Sequence, residues 1–259
     1  MFHRLHVPEG ELAKAVRGFV AMSALDAVPG APDARFNRFP AMPFCGVTLI
    51  TDGAVALVDE EGRPGETAPP WLVFGPRTRP VTSLTLAPLR SITAIFHASA
   101  FRRLTGCEPA LLRDRDDPAG DWLPPEWQEW PAALCALAHD PDAQFSWMER
   151  WLLPRWQAVR GSTAGSAGIG ARQRQRRSRA LAGLGPTQLQ RLARIELAIA
   201  QLKCAREDAP LDLARLAAHL GYADQAHFTR DVKALTGLPP ARLARALCAD
   251  PVYWADRIE

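Results

Sequence analysis

The segment from Leu211 to Leu243 constrains the fold more tightly than any other part of the chain. Asp212 stands where its carboxylate accepts the free backbone N–H groups that open a helix. Leu211 and Leu216 take the staple positions outside and inside that helix. Leu213, Leu216, Ala217 and Leu220 then recur at i, i+3, i+4 and i+7, one apolar stripe of a helix. Gly221 follows at once and suits the left-handed conformation that ends a helix. Asp224 caps a second helix three residues later, with Phe228, Val232 and Leu235 on its buried stripe. Gly237 and the pair Pro239–Pro240 stop it. Two short helices across a glycine turn of this length form either a helix-turn-helix or an ordinary helical hairpin, and spacing alone weighs the two equally.

The outward face of the second helix carries Gln225, His227, Thr229, Arg230 and Lys233, with Asp231 as the acidic neighbour. Hydrogen-bond donors and mixed donor-acceptors in this arrangement suit the base edges of a DNA major groove, Arg favouring guanine and Gln favouring adenine. Charge points the same way. Residues 1–150 carry 14 Lys/Arg and 19 Asp/Glu, a net of −5, whereas residues 151–259 carry 17 and 9, a net of +8. Only the back half is expected to meet a polyanion.

The residues Gly221-Tyr222, Asp224-Gln225, His227-Phe228, Arg230, Lys233, Thr236-Gly237 and Pro240 together resemble the signature of the AraC/XylS family of transcription regulators. The resemblance implies an all-α domain with two helix-turn-helix units joined by a central helix. It also implies groove-facing roles for Gln225, Ala226, His227, Thr229 and Arg230, where Ala226 replaces a serine common in the family. Pro186 to Lys203 fits the central helix, with Leu189, Leu192, Ile195, Ile199 and Leu202 on one stripe and Arg191 and Arg194 off it. Gly168 to Pro186 resembles the recognition segment of the first unit, and Arg172, Gln173 and Arg176 are carried over as groove-facing, with Arg177 as a phosphate contact. Here the match is degenerate. Gly170 replaces a capping serine, and Arg174 and Ser178 replace apolar seating residues. A poorly seated, arginine-rich helix that touches only phosphates is the competing reading for this unit. The closing segment, with Tyr253, Trp254 and Arg257, resembles that of a subgroup of the family.

The front of the chain reads differently. From Arg35 to Ile95, Pro and Gly separate short β-prone runs at Cys45–Ile50, Ala54–Val58, Trp71–Phe74, Val81–Leu86 and Ser91–Phe96. This spacing predicts a small antiparallel sandwich or barrel. The fold class is therefore α+β, a β-rich front domain followed by an all-α domain. Ala100–Leu104 opens a helix, Asp114–Asp121 reads as a charged, solvated loop, and Trp147, Trp151 and Leu152 form a stripe that docks a helix on the front domain. The stretch Gly161–Gly170 is built of small residues and reads as a linker. The expected division is 1–141 for sensing or dimerisation, 142–170 for a connecting helix and linker, and 171–259 for DNA binding.

RFNRFPAMPFCGVTL, FGPRTRPV and FHASAFRRLTG in the front domain are similar to that of the same subgroup, which uses it for effector sensing, dimerisation or both. Phe44, Trp71, Phe74 and Phe96 are candidates to line a sensing pocket, with Arg77, Arg79 and His97 as polar partners, although core or surface roles are commoner for each. The ligand itself is unknown. Five cysteines without a C-x-x-C pair fit neither a disulfide framework nor a zinc site, and suit a reducing cytoplasm. No signal peptide or membrane span is read, and no metal, cofactor or catalytic motif is found. The expected partners are double-stranded DNA, a small-molecule effector, a second copy in a homodimer and, implied by the resemblance, RNA polymerase. The competing function is a ligand- or protein-binding chain whose degenerate DNA-binding domain lacks operator specificity.

Overall fold

The alternation of apolar residues along Leu89–His97 explains why this run anchors the front of the molecule. Leu89, Ile92, Ala94 and Phe96 are buried, with less buried residues between them, the pattern of a strand covered on one face. The structure is a computed structural model that describes residues 2–24, 36–59, 61–160, 183–203 and 211–249. Its strands, in chain order, are β1 Phe2–His6, β2 Val16–Ala24, β3 Phe36–Phe39, β4 Phe44–Asp52, β5 Val55–Val58, β6 Pro64–Thr67, β7 Trp71–Phe74, β8 Val81–Thr85, β9 Leu89–His97 and β10 Asp116–Pro118. They form two antiparallel sheets, ordered β1-β2-β9-β4-β7-β10 and β3-β8-β5-β6. The β-rich front and helical back match the expected fold class.

Helices follow: α1 Ala98–Thr105, α2 Glu129–Cys135 and α3 Pro141–Arg160, then α4 Pro186–Lys203, α5 Leu213–His219, α6 Gln225–Thr236 and α7 Pro240–Ala249. α3 lies on the front sheets. Phe145, Met148, Trp151, Leu152 and Trp156 share one buried cluster with Phe19, Val47, Ile92 and Phe96, and Trp147 packs against it. This is the docking that the tryptophan stripe predicts. Trp127 stacks on Trp130 at 4.9 Å and meets Trp151 edge-on at 4.9 Å. The helices from α4 onward build a second cluster around Ile195, Leu202, Phe228, Val232 and Leu243.

The segment Asp114–Asp121 departs from the expected solvated loop. Asp116–Pro118 pairs with β7 as an edge strand. Asp116 forms an ion pair with the buried Arg77. Asp114 accepts hydrogen bonds from the Thr78 backbone N–H at 2.7 Å and from its hydroxyl at 2.8 Å. Asp116 is held because Arg77 would otherwise be a buried charge without a partner.

Candidate nucleic-acid interface

The turn between α5 and α6 assembles as its residues dictate. Asp212 accepts from the Arg215 N–H at 2.9 Å and caps α5. Gly221 has φ +75°, which a side chain would strain, and lets the chain reverse within a few residues. Asp224 accepts from the His227 N–H at 2.6 Å and caps α6. At the other end Gly237 adopts φ +84° and its N–H reaches the Lys233 carbonyl at 2.9 Å. Both helices therefore begin and end where the cap residues place them.

One face of α6 is sealed. Phe228 and Val232 are fully buried, and Leu235 and Thr236 nearly so. The other face is open: Gln225, Ala226, His227, Arg230 and Lys233 are exposed and Thr229 is half-buried. The structure thus brings these six predicted residues onto one short surface. Arg230 rests along its own helix, its Nε donating to the Ala226 carbonyl at 3.3 Å. The C-terminal end of α6 meets the front of the molecule, where the Ala41 N–H donates to the Leu235 carbonyl at 2.7 Å. Its N-terminal half, the part a recognition helix presents to bases, stays uncovered. Arg172, Gln173, Arg176 and Arg177, with the seating positions Arg174 and Ser178, lie outside the described residues, as do the linker Gly161–Gly170 and the closing segment from Tyr253 to Arg257.

Asp231, which the sequence pattern leaves on the outward face, is buried. It accepts from Arg191 of α4 at 3.0 Å through Nε, with a second contact from the same guanidinium, and from the Tyr222 hydroxyl at 3.1 Å. Burial alone would raise its carboxyl. The Arg191 and Tyr222 hydrogen bonds outweigh burial and hold it below its ordinary value. Burial and the Asp231 charge push the Tyr222 hydroxyl up to about 12. Arg194 lies 4.7 Å over the Tyr222 ring, and His227 meets that ring edge-on at 5.2 Å. The two arginines off the α4 stripe therefore fasten the turn and α6 to the central helix. Spacing showed them as off-stripe, but nothing in the sequence paired them with Tyr222 and Asp231.

A second feature lies between the sheets and α4. A cavity of about 520 Å³ opens there, walled mainly by apolar groups such as Val20, Ile50, Leu72 and Phe74. Of the sequence candidates, Phe44, Phe74 and Arg77 line it. Trp71, Phe96, Arg79 and His97 do not: Phe96 is fully buried against Trp127, Arg79 faces solvent, and His97 sits edge-on to Phe44 at 5.7 Å. Burial, reinforced by the nearby Arg17 charge, lowers the His97 pKa. Sequence reasoning missed Arg17 and the α4 residues Ile195, Glu196, Ile199 and Lys203, which close the far wall. Their signal was weak, because only the three-dimensional packing brings α4 to the sheets. Among the described residues no cluster of three metal-ligating side chains occurs and no helix is long and apolar enough to cross a membrane.

Residues 163–246 match a family model described as a helix-turn-helix domain. No curated protein matches the chain. Among solved structures, ToxT from Vibrio cholerae is 11% identical over 94% of this chain and 98% of its own, with a TM-score of 0.38. An apo form of a ToxT variant from the same organism is 11% identical over 88% and 97%, TM-score 0.41. A ToxT structure bound to an unsaturated fatty acid is 10% identical over 93% and 94%, TM-score 0.37. The C-terminal part of the chain is a helix-turn-helix domain.

Proposed function

We propose that this protein is a sequence-specific DNA-binding transcription regulator, acting in the cytoplasm, with α6 entering the major groove of double-stranded DNA. One observation carries the reading: α6 is capped, locked from behind by the Asp231 network, and exposed along Gln225, Ala226, His227 and Arg230, with Thr229 half-buried among them. A fixed helix holds long side chains at defined heights in the groove, which base recognition requires. Lys233 lies at the edge of this face and suits a phosphate contact. Arg172, Gln173, Arg176 and Arg177 add the first unit, chiefly through phosphates. The division into 1–141, 142–170 and 171–259 belongs to the same reading, with the helix of the middle segment seated on the front body.

The cavity supports effector responsiveness. Its α4 wall belongs to the helix whose Arg191 and Arg194 hold α6 and Tyr222. A ligand that changes the seating of α4 thereby acts on the DNA-reading helix. Homodimerisation and contact with RNA polymerase complete the reading as a regulator.

Selection of bound sequences from a random DNA pool tests the function. The regulator reading predicts a defined site retained at salt concentrations that abolish binding to random DNA. Recovery of no preferred sequence, with binding lost uniformly as salt rises, would contradict it.

A further inference from the structure

The polar groups around the cavity fall into two sets. Deep in the wall most of them are paired, although Asp116 Oδ2 is buried without a hydrogen-bond partner among the described residues. The hydroxyls of Thr48 and Thr93 share a hydrogen bond of 2.9 Å, and Arg77 is paired with Asp116. Toward α4 the situation differs. Arg17 of β2 and Glu196 of α4 both line the cavity, from opposite sides of the boundary between sheets and helices. Neither takes part in an ion pair or a side-chain hydrogen bond among the described residues. Arg17 is exposed, and its guanidinium lies over the Phe44 ring, 5.8 Å from the ring centre. Lys203 lies two turns beyond Glu196 on the same helix face, with interactions of its own.

We propose that the cavity takes an apolar molecule whose polar end accepts a hydrogen bond from Arg17 and donates one to Glu196. The proposal rests on the reading of this cavity as the effector site. A half-buried carboxylate against apolar walls is costly without a donor, and a ligand N–H or O–H supplies one. Burial raises the Glu196 carboxyl above its ordinary value, and the Arg17 charge offsets part of that rise, so the acid lies within the field of that guanidinium. A bare carboxylate satisfies Arg17 but sets a second anion beside Glu196. A primary amide or a hydroxyl satisfies both groups. The apolar body then fills the space between Val20, Ile50, Phe74 and Ile199.

The test uses the full chain at pH 8 with four ten-carbon probes: decanamide, 1-decanol, decanoate and methyl decanoate, with affinities from isothermal titration. Decanamide and decanol are expected to bind at least about tenfold more tightly than decanoate, the factor one charge-assisted hydrogen bond supplies. Glu196→Gln offers a donor to the carboxylate and should remove that preference, while Arg17→Met keeps the apolar stem and should weaken decanamide and decanoate alike. If Glu196→Gln fails to fold, the ranking of the four probes on the natural chain decides alone. Decanoate binding as tightly as decanamide, or a preference unchanged in Glu196→Gln, overturns the proposal and leaves the effector cavity standing. Binding by none of the four, the uncharged ester included, overturns both.

Discussion

At Asp231 a carboxylate exposed over only 7% of its side chain is held by Arg191 and Tyr222, and its removal should be felt in both stability and recognition. Asp231→Asn is expected to lower unfolding stability by about 1–2 kcal/mol, toward the lower end for a charged hydrogen bond because Arg191 remains partly solvated. Urea denaturation of the two proteins measures it. The same pair should be sensitive to acid. The folded carboxyl sits below its ordinary value of 3.8. Its contribution is therefore present above that value and is lost as pH falls through the lower folded value. The stability gap between the natural chain and Asp231→Asn should close on acidification below 3.8 and stay constant between pH 5 and 7. A gap that persists unchanged to pH 2 would show that the loss comes from packing and not from charge. The sequence showed Asp231 only as an acid among donors. Its inward turn depends on Arg191, forty residues earlier, and no local pattern encodes that partner.

At the scale of the elements, the cap residues set the recognition helix. Asp224→Ala should cost about 0.5–2 kcal/mol of stability, the usual cost of losing an N-cap. It should also fray the first turn, which carries Gln225 and His227, and so weaken binding to the selected site. A variant with unaltered stability and affinity would show that the Asp224 hydrogen bond is not formed in solution. The elements that the sequence made legible are those with a strong period or cap. The helix expected over Pro186–Lys203 has those bounds, and the strand expected over Trp71–Phe74 does too. The missed strands lacked such signals. Val16–Ala24 is buried at Val16 and throughout Gly18–Met22 and so shows no alternation. Pro64–Thr67 is exposed throughout and reads as a turn. Asp116–Pro118 forms because Arg77 needs its acid, a tertiary cause.

Across the whole molecule, the connecting helix α3 belongs physically to the front core. Trp151, Leu152, Phe145 and Met148 are buried with residues of β2, β4 and β9. A fragment ending at residue 140 should therefore fail to fold, whereas one ending at residue 160 should melt cooperatively. Equal circular-dichroism melts for the two would contradict this division of labour. The charge split and the helical pattern of the back half were legible in the sequence. The cavity was not, because α4, which closes one side of it, lies far along the chain from the strands it faces.

The central claim is that α6 reads bases while the arginine-rich segment before α4 supplies attraction. The direct measurement compares Arg230→Ala and Arg177→Ala on the selected site and on its single-base variants, each at two salt concentrations. Arg230→Ala should cost about 1–3 kcal/mol on the preferred site and relax discrimination at one base position. Arg177→Ala should weaken every sequence similarly and lower the salt slope by about one. If Arg230→Ala instead weakens all sequences equally, its side chain reads no base, and the proposed placement of α6 in the groove is wrong.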